Sequence, residues 1–284
     1  MEPVPATATA PAVRDAILPV RARSLALRLL SGAGVPSLFG YAPGPSGTCQ
    51  TLWHGLTSHG ELVVAAVDTF DNPLTAASTG EPINVRLDIV KESPEWAARI
   101  TACALHLLGT LEWQPVEATA GYLADPDLNP LVAEAAALSG GRLGVIHTDR
   151  VVLHDSAGIA PMPFAEVLAD RAPATFPSMA EELSAREEFA RLSQTDLTTL
   201  FGLADDGWDG ALPLTHQHVQ TCSSLHGRVL CVDIDRTGAT LMQVDSAGTR
   251  TALFAFPRPV SSLAGLSEGV RELAGRATRA QATA

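Results

Sequence analysis

Alternation of apolar and polar residues dominates the first half of the chain, and helical spacing returns in the second. In "NVRLDIV" (84–90), Val85, Leu87 and Ile89 fall on one side and Arg86 and Asp88 on the other, as in a half-buried strand. The same two-residue period marks 36–42, 50–57 and 61–67, the last two joined at "SHG" as a hairpin. "ARITACALHLLGTLEW" (98–113) reads as one long strand bent at Gly109, since an interior glycine marks a bulge or a barrel corner. A Pro/Asp/Asn loop at 124–130 leads into a short helix ending at Leu138, and 142–158 reads as a further hairpin. Strands with so few helices between them predict a closed or partly closed β-barrel.

Helical spacing frames this region. Ala22, Leu25, Ala26 and Leu29 share one face of a helix over 14–30 that "SGAG" ends, and residues 1–13 read as a disordered lead. After Pro177 the pattern changes. Ser178 followed by Glu181 fits a capping box; Phe189, Leu192, Leu197 and Leu200 lie near one face, and Gly202 stops that helix. Strands at 228–235, 239–245 and 249–256 follow, separated by "RTG" and "DSAG". Leu263, Leu266, Val270, Leu273, Ala274 and Ala277 then form the stripe of a last helix. The chain is therefore expected to be α+β, its second part a three-stranded antiparallel meander with flanking helices, and no internal repeat stands out.

Composition narrows the picture. The 284 residues suit one large or two ordinary domains, and 46% hydrophobic content is too high for a disordered chain. Apolar runs fall short of the roughly 18 residues a membrane helix needs. The acidic, Pro-rich start lacks the basic and apolar regions of a secretion signal, so a cytoplasmic location is expected. Cys49, Cys103, Cys222 and Cys231 are scattered, as expected of reduced thiols. A net charge of −12 offers no footprint for nucleic acid. Lys91 is the one lysine, so an anion site here must use arginine or backbone amides.

No self-sufficient catalytic signature is present. "SGAGVPS" follows a helix and lacks the third glycine of a dinucleotide loop. "DDGWDG" places Asp205, Asp209 and Gly210 like part of a calcium loop but without the closing glutamate. In "HQHVQTCSSLH", His216 and His218 share a face if extended, His218 and Cys222 if helical, and no standard zinc spacing fits. His54 and His59 flank a hairpin, His106 interrupts an apolar strand, and His147 and His154 lie on another hairpin. A neutral imidazole is the common proximal ligand of haem iron, and Tyr41 and Tyr122 offer phenolic oxygen; the sequence does not select among them.

"RVLCVDIDRTGATLMQVDSAGTRTALFAFPRPVSSLAGLSEGVRELAGRA", with "MAEELSAREEFARLSQTDLTTL" before it, resembles the C-terminal domain of HugZ-type haem-utilisation proteins. Residues 14–172, and "ARITACALHLLGTLEW" in particular, are similar to the FMN-binding-type split β-barrel of pyridoxamine-phosphate-oxidase-like proteins. The resemblance implies a split barrel over 14–172, a HugZ-like α+β domain over 178–280, a homodimer, and a ligand held between barrel and C-terminal domain. Its members bind haem, and some open it oxidatively; barrel relatives bind FMN. If haem is the cofactor, His54 and His106 are candidate contacts, and Arg228, Arg236 or Arg250 would pair a propionate. The alternatives are a flavin-dependent oxidoreductase and a cofactor-free regulatory or binding module. Residues 62–78 hold no basic side chain for a flavin phosphate, and the tail "RATRAQATA" holds no histidine.

Overall fold

The structure, a computed structural model, describes residues 10–41, 46–50, 52–67, 72–95, 97–169, 171, 175–208 and 210–283, without the side chains of 10–15, 280, 281 and 283. Of the expected lead, residues 1–9 lie outside these. Residues 10–13 are helical instead, because Pro11 falls in the first turn of α1 (Ala10–Leu30), where its missing N–H has no intrahelical partner to lose. Gly32 and Gly34, at φ +114° and +83°, turn the chain out of the helix.

Two compact units divide the chain. One contains Leu25–Glu92 and Cys103–Thr175; the other contains the helix up to Ser24, Ser93–Ala102 and the chain from Phe176 onward.

The first unit is built on an antiparallel sheet. Its strands are β1 (Val35–Gly40), β2 (Gly47–Cys49), β3 (Leu52–Leu56), β4 (Leu62–Val67), β5 (Ile83–Glu92) and β6 (Thr101–Trp113), with α2 (Val116–Leu123) and α3 (Pro130–Ala137) before β7 (Gly141–His147), β8 (Arg150–Asp155), β9 (Gly158–Pro163) and α4 (Phe164–Ala169). The hydrogen-bonded order is β2-β1-β5-β6-β7-β4-β3, with β8 on β6 and β9 on β8. β6 changes partner along its length: Cys103–Leu107 pairs with β8 and Thr110–Trp113 with β7. The expected hairpin over 142–158 is therefore not one. β7 and β8 lie along successive parts of β6, and β8 makes its own hairpin with β9. Gly109 permits the handover, since a Cβ there would strike the His147 carbonyl oxygen. Among the described residues the ladder does not close into a barrel. One edge of β1 is held by β5, and Leu38–Gly40 on the other edge is taken by β2, so β1 passes β3 without a ladder between them.

In the second unit, α5 (Glu182–Phe189), α6 (Gln194–Asp205) and α7 (Leu263–Thr283) accompany a sheet of β10 (Ala211–Gln217), β11 (Val229–Asp235), β12 (Gly238–Val244) and β13 (Thr249–Ala255), in the order β10-β13-β12-β11. The sheet has four strands where the sequence predicts three. The helix expected from Ser178 is two helices. Glu181 reaches back to accept from Ser178 N and Oγ just ahead of α5, as expected, while the box complete in both directions is at Ser193, whose hydroxyl accepts from Asp196 N while Asp196 accepts from Ser193 N; Gly202 lies inside α6 rather than ending it. Leu200, Phe201, Phe254, Leu266 and Leu273 fill the core, Phe201 meeting Phe254 edge-on at 5.4 Å; each such side chain contributes about 1.5–3 kcal/mol on burial.

The "DRTG" of the meander has a local reason. Asp235 accepts from Thr237 N and Thr237 Oγ1 and faces Arg21 Nε at 3.4 Å, all buried. Gly238 follows because a Cβ would collide with the Phe254 carbonyl oxygen. Burial pushes the Asp235 carboxyl above the usual carboxylate range, and the Arg21 charge and Thr237 pull it back.

Candidate functional site

On β5 and β6, alternate residues leave the core. Ile83, Val85, Leu87 and Ile89 are buried, so Arg86 and Asp88 share the opposite face; on β6, Leu105 and Leu107 are buried while Ala104, His106 and Leu108 are not. His106 Nδ1 lies 2.7 Å from Asp88 Oδ1, with the histidine side chain 38% exposed. A carboxylate only accepts, so Nδ1 carries a proton and donates it in the hydrogen bond, and Nε2 is the nitrogen turned away from Asp88. Nε2 bonds to no described residue. Arg86 Nη2 is 3.0 Å from Asp88 Oδ2, and its guanidinium stacks 4.5 Å over Phe39, its cross-strand neighbour. His154 on β8 meets His106 edge-on at 4.9 Å, and Val152 lies directly across from His106. Leu108 and Ile159 (opposite His154) add well-exposed apolar groups.

This arrangement is a carboxylate-oriented imidazole among apolar and aromatic side chains, with a guanidinium beside it. Such a histidine is prepared to ligate a metal, because its carboxylate partner fixes which nitrogen bears the proton and how the ring is oriented. Sequence reasoning singles out His106 but misses Asp88, Arg86 and His154 as its neighbours. The alternation of "NVRLDIV" already puts Arg86 and Asp88 on one face; pairing them with His106 requires the register of β5 on β6.

His54 has a different setting. It is buried, and its Nε2–H donates to the Leu29 carbonyl at 2.5 Å. Burial lowers its pKa from 6.5 to about 4, against the raising effect of that bond. Its own carbonyl accepts from Asn129 Nδ2, while Asn129 Oδ1 caps α3 through Leu131 N.

Arg228, Arg236 and Arg250 belong to the other unit, and they do not converge there. Arg228 precedes β11 and Arg236 follows it, at opposite ends of that strand. Arg250 is engaged, donating to Asp205 at 2.8 and 3.0 Å and to Gln243. Tyr41 is exposed. Asp209 of "DDGWDG" lies outside the described residues.

A second feature of the first unit is a cleft of about 410 Å³ lined by Ser58, His59, Glu61, Tyr122 and Asp125 among others. Asp125 accepts from Ser58 N and Oγ, tying the β3–β4 turn to the loop after α2. Desolvation, then the neighbouring Glu61 carboxylate, raises the Tyr122 phenol. Among the described residues no three metal-ligating side chains cluster, and no helix is long and apolar enough to cross a membrane.

The whole chain defines an α+β protein with antiparallel sheets. No family model matches it, and no curated protein matches it. Among solved structures the fold is similar to that of a haem-binding protein from Mycobacterium smegmatis, with a TM-score of 0.50 at 17% identity, over 91% of this chain and 98% of that one. A protein of unknown function from Agrobacterium tumefaciens aligns over 96% of this chain and 100% of its own at 17% identity, with a TM-score of 0.31, too low to carry an argument. At 17% identity the likeness to the Mycobacterium smegmatis protein shows the fold alone.

Proposed function

We propose that the protein binds haem, with His106 as the iron ligand through Nε2 and Arg86 as the partner of a propionate. The observation that carries this reading is the His106–Asp88 pair, which supplies an imidazole held through Nδ1 with Nε2 available on an accessible face. The fold shared with a haem-binding protein supports it. Arg86, held by Asp88 and Phe39, keeps half its surface exposed and can donate to a carboxylate in two parallel bonds. Bound haem would supply an iron centre on this face; the chain's own residues orient the ring, fix the proton on Nδ1 and offset the acid charge of the ligand. A HugZ-type split barrel over 14–172, a HugZ-like domain over 178–280, a homodimer and a cytoplasmic location belong to the same proposal. The apolar Leu108 and Ile159 on the exposed face suit either a macrocycle or a second copy.

Titrating hemin into the purified full chain tests the reading. A Soret shift saturating at one haem per chain is expected, and His106→Ala should abolish the histidine-ligated spectrum. An unchanged spectrum in that variant would overturn the assignment of His106, and no shift in the parent protein would overturn haem binding.

A further inference from the structure

The sequence leaves "HQHVQTCSSLH" with two geometries for its histidines, and the structure selects one. His216 lies in β10 and His218 one residue beyond its end, so the two stand at the i, i+2 spacing of extended chain, on one side. Their ring centroids are 4.6 Å apart with the planes at 48°, and both residues are exposed. Neither imidazole has a hydrogen-bond partner among the described residues. β10 is the edge strand of its sheet, so nothing in the sheet covers its outer side. Arg250 lies directly opposite His216 in the ladder, but its guanidinium is directed to Asp205 and Gln243, which offsets its charge.

We propose that His216 and His218 form a two-imidazole chelate for a divalent transition-metal ion, with water in the remaining positions. Two neutral ring nitrogens on one side of a strand suit borderline ions such as copper, nickel or zinc; hard ions such as magnesium and calcium want oxygen. The absence of any third His, Cys, Asp or Glu grouped with them among the described residues makes this an open, exchangeable site rather than a structural one. Cys222 follows in the same loop, its Sγ 3.1 Å from Ser224 Oγ, and His226 Nε2 is bonded to Thr221 Oγ1; both are outside the chelate.

Nickel(II) is the probe of choice, because it does not oxidise the exposed Cys222 thiol. Calorimetric titration of nickel chloride into the untagged full chain carrying His106→Ala, which removes the other exposed oriented imidazole, should show one site. His216→Ala and His218→Ala should each weaken it more than tenfold, and the double variant should do no further harm, since a chelate fails when either arm is lost. C222S and H226A should bind as the parent does, and excess magnesium should not compete. All four positions are exposed, so unchanged far-ultraviolet dichroism is expected throughout. Parent-like binding by the double variant, or by either single one, would overturn the proposal; so would loss on replacing Cys222 or His226 alone.

Discussion

His54 on β3 and His106 on β6 belong to the same sheet, yet their surroundings have made chemically opposite groups of them. His54 is sealed between the end of α1 and the start of α3, donates a hydrogen bond to a backbone carbonyl, and is held neutral by burial. His106 keeps 38% of its side chain in solvent and donates a hydrogen bond to a carboxylate. The difference shows what separates a core histidine from a ligand. Both have one nitrogen committed, but the ring of one is buried and that of the other keeps an open face.

The largest effect expected from this contrast is on stability against pH. Because the folded pKa of His54, about 4, lies below its ordinary 6.5, the unfolded chain binds the extra proton between those values. Stability should therefore fall as pH drops through that window and level off below it, by on the order of 3 kcal/mol. Denaturant unfolding at the two ends of the window measures it, and His54→Gln, which keeps a donor for the Leu29 carbonyl, should flatten the profile. A profile as steep in that variant as in the parent would remove His54 as its source.

Next in size is the effect of the carboxylate behind His106. Asp88→Asn should weaken haem binding about 10- to 100-fold while leaving the ligand in place, the usual cost of losing an outer-shell partner. Hemin titration reads this as a shifted midpoint with the same final spectrum. Smallest of all, His106→Ala should change unfolding free energy by no more than about 0.5 kcal/mol, since a half-exposed side chain leaves no sealed cavity. A larger loss would mean that His106 is structural and would erase its contrast with His54.

Much of the sheet is legible in the sequence because burial on one face imposes a two-residue period. β5 shows it without interruption, with buried and less buried residues alternating from Ile83 to Glu92. β10 is invisible to that reading for a physical reason. It is an edge strand with a bulge between Pro213 and Thr215, and none of its residues is fully buried, so no period is imposed. α2 escapes in the same way, having no buried residue to mark a face. The break between α5 and α6 is written in Ser193 and Asp196, but the apolar spacing runs across it and suggests one continuous helix. His106 stands out as a polar residue in an apolar strand; its partners depend on strand order, which local pattern does not contain.

The double pairing of β6 has a consequence for how such a chain can vary. The stretch between Leu107 and Thr110 acts as a spacer of set length between two ladders. Gaining or losing one residue there would leave the His106 segment aligned on β8 but turn the next segment over, sending the buried Leu111 and Trp113 to water and Glu112 inward. Residues at that joint are open to exchange, whereas their number is not.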